Sequence, residues 1–223
     1  MHLPKSKKIL LYFFLLILVS SISNNSFSNL EFSQIQNIKI SGLDQKNNQT
    51  LLNKVKNLIN ENIFLINKNE IIKAIESNTL VERYEVFKKY PSTININVEK
   101  TNFFAKINKN SKIFFIGSNG RLTLAENPNN ELPYIFGKPN IKEFLKFKQI
   151  IDKSKFNYKQ IDKLYFFPSN RWDIKFKENI LLKLPANFTL ENLDHLYEFL
   201  ENNNVKKYAV IDYRIKDQII LNE

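Results

Sequence analysis

An unbroken apolar run near the N-terminus most constrains what this chain can fold into. Residues 9–19 contain no charged side chain, and Lys5, Lys7 and Lys8 precede them without any acidic residue. Basic residues before an apolar segment favour a cytoplasmic N-terminus, with the following chain carried across the membrane. The sequence therefore predicts that the chain from about residue 30 onward lies outside the cytoplasm.

The length of this apolar segment leaves two interpretations open. Residues 9–22 would form about 21 Å of helix, which is shorter than the hydrocarbon core of about 30 Å. Extending the segment to Ser28 includes two asparagines, Asn24 and Asn25. A membrane anchor and a cleaved signal peptide, with the small residues Ser21 and Ser23 at its cleavage site, are close to equal on physical grounds.

Composition excludes several kinds of chemistry. The 223 residues hold no cysteine, only two histidines (His2 and His195) and only four glycines. Disulfides, thiolate metal sites and cysteine nucleophiles are therefore excluded, as are a histidine zinc cage and a glycine-rich phosphate loop. Apolar residues make up 43% of the chain, which is enough to bury the core of one or two modest domains. We expect no cofactor and no metal.

The net charge of +11 comes mainly from lysine, since the chain has 29 lysines and four arginines. A nucleic-acid face is usually rich in arginine, because the guanidinium group pairs with phosphates and with guanine edges. A solvated, lysine-rich surface is the favoured interpretation, and weak attraction to an anionic polymer or membrane surface stays open. We expect neither a nucleic-acid partner nor a small-molecule substrate.

Residues 35–100 predict a compact unit in the order β-α-α-β-β. Residues 35–40 are typical of a strand, and apolar residues at helical spacing predict a helix over 49–60. Asn67 can cap a second helix that has Glu70 in its first turn. Two strands are predicted to follow, and the second alternates between apolar and polar residues; they cover 81–90 and 93–100.

The rest of the chain predicts mainly strands, with two helices and no internal repeat. The sequence Gly-Ser-Asn-Gly at 117–120 closes a predicted hairpin, and residues 132–137 are typical of a loop because they include a proline and a glycine. Helices are predicted from Asn140 and after Thr189. Further strands are predicted over 161–167, 172–177, 180–184, 208–212 and 218–221.

Several short motifs, by their order and spacing, resemble the FtsQ/DivIB family of bacterial cell-division proteins. Those in the first unit are Ile-Lys-Ile-Ser-Gly at 38–42, Val-Phe-Lys-Lys-Tyr-Pro-Ser-Thr-Ile at 86–94, Ile96, and Val-Glu-Lys at 98–100. Those in the second unit are Leu132-Pro133 with Gly137, Arg171-Trp172, Leu184-Pro185, and Ile-Asp-Tyr-Arg at 211–214. Each motif is weak alone, but together they are specific, and the resemblance runs from the basic tail to about Leu221.

This resemblance implies an α+β chain with an N-terminal transmembrane helix, a small POTRA domain (β-α-α-β-β) and then a mixed β-sheet domain with packed helices. It favours the membrane anchor over the cleaved signal. The implied function is a non-enzymatic, bitopic inner-membrane scaffold of the divisome that is essential for septum assembly. The implied divisions are a cytoplasmic tail at 1–8, a signal anchor at 9–28, a linker at 29–34, a POTRA domain at 35–102 and an FtsQ-type β domain at 103–223.

The chain departs from the family pattern at four points, and the first is that its apolar N-terminal span is shorter than the family's. Lys100, Thr101 and Asn102 stand where the family usually has an Arg-x-Pro sequence. Gly117 stands where an aspartate usually precedes the hairpin glycine. Asn179 takes the place of a turn glycine, and because asparagine tolerates the left-handed conformation we expect that hairpin to survive.

The C-terminal strand is the predicted binding site. A terminal strand often lies at a sheet edge, where unpaired backbone groups can receive a partner strand. The resemblance implies that this edge binds FtsB, which acts together with FtsL, and that other divisome proteins and the inner membrane are further partners. The implied surface comprises Arg171, Arg214, Ile215, Asp217, Gln218, Ile219, Ile220 and Leu221.

An ordinary closing strand, with Arg214 in a structural ion pair, is an equal alternative for the individual residues. As a test, we expect Ile219→Glu together with Leu221→Glu to weaken partner capture and to leave the fold intact.

Other features favour structural roles. All four glycines fall at strand or turn ends, where a positive φ would explain them. The sequence at 117–120 also resembles the backbone-gripping loop of KH domains, but that loop joins helices and here strand-like residues flank it. His195 is expected to face solvent. The available carboxylates show no spacing typical of a glycan-hydrolase pair; they are Glu61, Glu126, Asp173 and Glu178.

Two other functions stay open. A periplasmic POTRA-type chaperone module for outer-membrane protein assembly would need several copies of the first unit or a following barrel, and the sequence contains one such unit. An exported enzyme acting on peptidoglycan would need a carboxylate pair that the spacing does not single out. We therefore expect no enzymatic activity.

Overall fold

The structure is a computed structural model that describes residues 5–21, 34–125, 131–202, 209–215 and 218–222. The first helix, α1 (Lys5–Ser21), carries exposed large hydrophobic side chains. No helix within the described ranges combines the length and the apolarity that crossing a bilayer requires. The rest of the predicted anchor and most of the predicted linker, residues 22–33, lie outside those ranges.

The first folded unit has the predicted β-α-α-β-β order. Its three strands form a sheet of order β1-β3-β2, in which β3 pairs in parallel with β1 and antiparallel with β2. The elements are β1 (Asn37–Ser41), α2 (Gln45–Val55), a 3-10 helix (Lys56–Leu58), α3 (Lys68–Glu76), β2 (Val81–Lys89) and β3 (Thr93–Lys100).

Local sequence explains most of these bounds. Strand β3 alternates as predicted, with Ile94, Ile96 and Val98 buried against the apolar faces of both helices. Asn67 caps α3 by accepting a hydrogen bond from the N–H of Asn69 at 3.0 Å. Helix α2 begins four residues earlier than predicted, because Asp44 caps it through the N–H of Asn47.

The second folded unit is a mixed sheet of order β12-β11-β10-β9-β8-β7-β4-β5-β6. Its helices are α4 (Ile141–Lys153), a 3-10 helix (Tyr158–Gln160) and α5 (Leu190–Asn202). Residues of α4 and α5 form one core with the sheet, centred on Phe144, Trp172 and Leu193. The strands are β4 (Phe103–Lys109), β5 (Lys112–Gly117), β6 (Leu122–Leu124), β7 (Tyr134–Phe136), β8 (Ile161–Phe166), β9 (Trp172–Phe176), β10 (Leu181–Lys183), β11 (Val210–Asp212) and β12 (Ile220–Asn222).

Two central strands of this sheet were not predicted. The sequence pattern predicts no element for β4, and β7 falls in the segment that it predicts as a loop. The proline and glycine around β7 favour a loop locally. The strand forms because Tyr134 pairs in parallel with Lys106 of β4 on one side and with Lys163 of β8 on the other. Both partners are distant in sequence, so local patterns do not reveal them.

A polar junction connects the two units. The turn at 117–120, between β5 and β6, lies against the first unit. The side-chain amide of Asn119 donates to the carbonyl oxygens of Thr79 and Val81, both at 2.9 Å. Nearby, Ser118 Oγ donates to Glu82 Oε2 at 2.7 Å. The turn therefore binds the first unit through directional hydrogen bonds to its backbone and side chains.

This turn confirms one expectation and corrects another. Antiparallel strands flank the turn, as expected, which excludes a KH loop. Gly120 has the expected positive φ of 72°, but Gly117 is not among the positive-φ glycines. A Cβ atom at Gly117 would instead lie 2.7 Å from Asn119 Oδ1 and 2.8 Å from Thr101 Oγ1. Close packing at the junction therefore explains Gly117.

Candidate partner-binding edge

Strand β12 forms one edge of the large sheet. It pairs with β11 in the antiparallel register Val210↔Asn222, Ile211↔Leu221 and Asp212↔Ile220. On its other side it pairs with no strand in the part of the chain that the structure describes. Its outer backbone N–H and C=O groups can therefore hydrogen-bond to an added strand.

The side chains of this edge divide between two faces. Ile219 and Leu221 are partly buried and pack against the core. Ile220 is 43% exposed and Ile215 is 52% exposed. Because Ile219 and Leu221 are partly buried against the core, we expect Ile219→Glu with Leu221→Glu to destabilise the fold as well, which makes this pair a poor test of binding. Ile215 and Ile220 are the apolar side chains that a partner can reach.

Three charged residues lie side by side on the strands next to this edge. The register places Asp173 of β9 opposite Lys183 of β10, and Lys183 opposite Asp212 of β11. These side chains share the face opposite the helices, because their strand neighbours point into the core. Asp173 is 4% exposed and Asp212 is 8% exposed. Both carboxylates are therefore largely shielded from water.

An arginine pairs with each carboxylate. Arg171 Nε donates to Asp173 Oδ1 at 3.2 Å. Arg214 Nε donates to Asp212 Oδ1 at 2.8 Å and to Oδ2 at 2.9 Å. The Arg214 side chain stays 43% exposed, whereas that of Arg171 is 23% exposed. Of the two guanidinium groups, Arg214 is thus the more accessible to a carboxylate of a partner.

The pKa values of the two carboxyl groups are shifted in opposite directions. Side-chain hydrogen bonds from Arg214 lower the pKa of Asp212, and the same contact raises the pKa of Arg214. Burial raises the pKa of Asp173, and the nearby positive charges, first among them Arg171, offset only part of this effect. Because the Asp212–Arg214 pair favours its charged form, it is a fixed ionic feature beside the open edge at neutral pH.

Both folded units match known protein families. Residues 33–100 match the family described as POTRA domain, FtsQ-type, and residues 98–214 match the family described as cell division protein FtsQ/DivIB, C-terminal. The chain belongs to the FtsQ/DivIB family. The resemblance seen in the sequence is thereby confirmed.

Relatives of the FtsQ/DivIB family match at low identity. The cell division protein FtsQ of Rickettsia bellii (strain RML369-C) is 24% identical over 195 residues, which cover 83% of this chain and 70% of that protein. Among solved structures, the major extracytoplasmic domain of the trans isomer of DivIB from Geobacillus stearothermophilus matches with 11% identity and a TM-score of 0.35. That match covers 48% of this chain and 96% of the DivIB domain.

Within this FtsQ/DivIB chain, Arg214 binds Asp212, which lies opposite Ile220 of β12, and the carbonyl oxygen of Ile215 accepts from the N–H of Gln218 at 3.2 Å. Arg171 lies beside Asp173, to which it donates a hydrogen bond, and its guanidinium group stacks on the Phe167 ring at 4.1 Å. Gln218 is exposed, and Asp217 lies outside the described residues.

The sequence reasoning missed Lys183, which lies between the two carboxylates. The available signal was that Lys183 directly follows Leu182 in a predicted strand. Because successive residues of a strand face opposite sides, Lys183 must face away from the core if Leu182 faces it.

The other candidate residues of this FtsQ/DivIB chain occupy separate places. The His195 side chain is 69% exposed, as expected, and lies 3.9 Å from Glu191. Glu61 and Glu178 are exposed, Asp173 is buried in the charged row, and Glu126 lies outside the described residues. Among the described residues, no cluster of three or more acidic or histidine side chains could hold a metal ion.

Proposed function

We propose that this chain is a non-enzymatic scaffold of the divisome that holds the FtsB–FtsL pair at the open edge of β12. The observation that carries the proposal is a strand edge that no other described strand covers, beside the exposed side of Arg214. Backbone hydrogen bonds of an added strand would provide affinity, and Arg214 would select a partner strand with a carboxylate at the matching position. Such work consists of binding and positioning, and it needs no cofactor.

The same proposal places the chain in the bacterial inner membrane, at the division septum. Helix α1 has lysines at its start and exposed apolar side chains along its length. The part of α1 from Ile9 to Ser21 extends about 20 Å, and residues 22–28 would supply the rest of a span. The tail at 1–8 would lie in the cytoplasm. The POTRA domain at 35–102 and the β domain at 103–223 would lie in the periplasm.

Capture of FtsB–FtsL by the purified full chain tests the binding edge. Ile215→Glu together with Ile220→Glu should weaken capture by about tenfold or more, because two outward apolar contacts become charged. Both side chains face outward, so the melting temperature should change little. Leu124→Glu is the matched control, since Leu124 is 50% exposed on β6 at the opposite edge of the same sheet.

Undiminished capture by the Ile215→Glu, Ile220→Glu variant would exclude this edge as the binding site.

Depletion in the host tests the wider function. Filamentous cells with stalled constrictions, and a tagged copy at midcell, are the expected result. Normal division with loss of outer-membrane proteins would contradict the scaffold function and favour the outer-membrane assembly module.

A further inference from the structure

The POTRA domain exposes a compact group of apolar side chains at one end. Leu65, Phe64 and Tyr90 are 83%, 62% and 57% exposed, the three highest values among the large hydrophobic residues that are described outside α1. The rings of Phe64 and Tyr90 stack with their centroids 5.1 Å apart. We call Phe64, Leu65 and Tyr90 the apolar tip.

The apolar tip lies where the chain enters the POTRA domain. The N–H of Ile35 donates to the carbonyl oxygen of Glu61 at 2.9 Å, and the N–H of Gln36 donates to that of Ser92 at 2.9 Å. A β-bridge also joins Gln34 to Asn62. The entering chain is thus held between the two segments that carry the tip.

The β domain joins the POTRA domain at the other end of the sheet. Strand β3 begins at Thr93, close to Tyr90, and ends at Lys100, shortly before β4 begins. Its eight residues extend about 26 Å. The apolar tip is therefore remote from the β domain and lies at the end of the POTRA domain where Gln34 begins the described chain.

The connection to α1 is short. Residues 22–33 separate Ser21, the last residue of α1, from Gln34. Twelve residues span at most about 40 Å when fully extended. If α1 lies in the bilayer, the apolar tip stays within that distance of the membrane surface.

The charge around the tip suits an anionic lipid surface. Lys68 and Lys88 line the same groove as Tyr90, and the exposed Lys89 precedes Tyr90 in the chain. Glu61 is the one acidic residue in the segments 59–69 and 86–95. Aromatic and leucine side chains with nearby lysines are the combination that binds at the interface of an anionic bilayer.

We propose that the apolar tip docks into the outer interface of the bilayer that holds α1, with Lys68, Lys88 and Lys89 at the lipid headgroups. The proposal rests on the bitopic arrangement of the proposed function and is independent of FtsB–FtsL capture. Attachment through both α1 and the tip would fix the orientation of the POTRA domain. The β domain would then lie about one strand length, roughly 26 Å, farther from the membrane.

Single-cysteine spin labels test this docking, because the chain has no cysteine of its own. The full chain carrying Leu65→Cys is reconstituted into vesicles of phosphatidylethanolamine and phosphatidylglycerol. The label at 65 should be several-fold less accessible to an aqueous nickel reagent, and more accessible to oxygen, than a label at the control variant Leu124→Cys. Phe64→Cys should behave like Leu65→Cys, and Lys88→Gln with Lys89→Gln should reduce the protection of the label at 65.

The outcomes separate this proposal from the proposed topology. A third label, at Phe13→Cys, reports whether α1 lies in the bilayer. If the label at 13 is in lipid and the label at 65 is in water, the docking proposal is wrong and the bitopic arrangement stands. If both labels are in water, both proposals are wrong. Protection of residue 65 that develops only after FtsB–FtsL is added would identify a protein contact and would also overturn membrane docking.

Discussion

The POTRA domain and the β domain present different chemistry where they are open. The POTRA domain carries the apolar tip, whereas the β domain carries a strand edge beside the Asp212–Arg214 ion pair. Apolar side chains favour an apolar phase without a preferred direction. A strand edge beside an ion pair favours a partner that presents an extended strand with complementary charge in the matching register. Under our two proposals, the first surface orients the protein on the membrane and the second recognises a partner.

The two domains also differ in how each is stabilised. Their buried residues form two separate clusters, one in each domain. The junction between them includes hydrogen bonds to the POTRA domain from the turn at 117–120 and from Arg121 and Thr123, which follow it. The contrast between the two surfaces therefore depends on two separate cores and a polar connection.

The largest effect is expected from truncation of the β-domain core. Trp172 is 4% exposed and stacks on Phe147 with ring centroids 4.6 Å apart. Trp172→Ala should lower the free energy of unfolding of the β domain by about 3–5 kcal/mol, because it leaves a cavity. Phe136→Ala is the control, since Phe136 is 41% exposed. Hydrogen exchange should show loss of protection in the β domain alone, and equal loss in both domains would mean that they unfold as one unit.

A smaller effect is expected at the junction. Asn119→Ala removes the donor to the carbonyl oxygens of Thr79 and Val81. The substitution should lower the free energy of unfolding by about 1–3 kcal/mol, because the two carbonyl groups lose a hydrogen-bond donor at a partly buried site. Spin-label distances between Leu65→Cys and Leu190→Cys should broaden in this background and stay narrow with the exposed-site control Asn57→Ala. Unchanged distances would show that the turn does not determine how the domains are oriented.

The contributions of Asp212 and Asp173 to folding stability should change in opposite directions with pH. The pKa of Asp212 is lowered on folding, so its charged form stabilises the fold above about pH 4, and this contribution is lost as pH falls through the folded-state pKa. The pKa of Asp173 is raised, so its contribution to stability falls as pH rises through the folded-state pKa.

Asp212→Asn should therefore cost about 1 kcal/mol at pH 7, through the weaker hydrogen bonds to Arg214, and progressively less toward pH 3. Asp173→Asn should cost less than Asp212→Asn at pH 7. Denaturant unfolding at both pH values measures these differences. A cost of Asp212→Asn that does not change with pH would contradict this role of the ion pair.

The smallest effect is expected from an exposed ion pair of the POTRA domain. Arg83 Nε lies 3.7 Å from Glu99 Oε2, and the two side chains are 79% and 59% exposed. Glu99→Gln should change the free energy of unfolding by less than about 0.5 kcal/mol, because solvent screens the pair. Thermal melts of this variant beside Asp212→Asn compare an exposed pair with a shielded one. A larger loss of stability for Glu99→Gln than for Asp212→Asn would contradict the expectation that the shielded pair is the stronger one.

The sequence by itself determined those features that depend on neighbouring residues. The alternation over 93–100 predicted β3, and Asn67 and Asn140 predicted the starts of α3 and α4. The order of motifs along the chain predicted the FtsQ/DivIB family. Caps, helical spacing and strand alternation act within a few residues, so the chain reveals them without its fold.

Only the tertiary structure decided which distant residues pair and which face they occupy. Strand β7 forms because β4 and β8 lie on either side of it, although its own sequence favours a loop. The pairing of β12 with β11 turns Ile219 and Leu221 toward the core and leaves Ile220 exposed. A shift of one residue in register would reverse these faces, and the register is set by contacts between residues far apart in sequence.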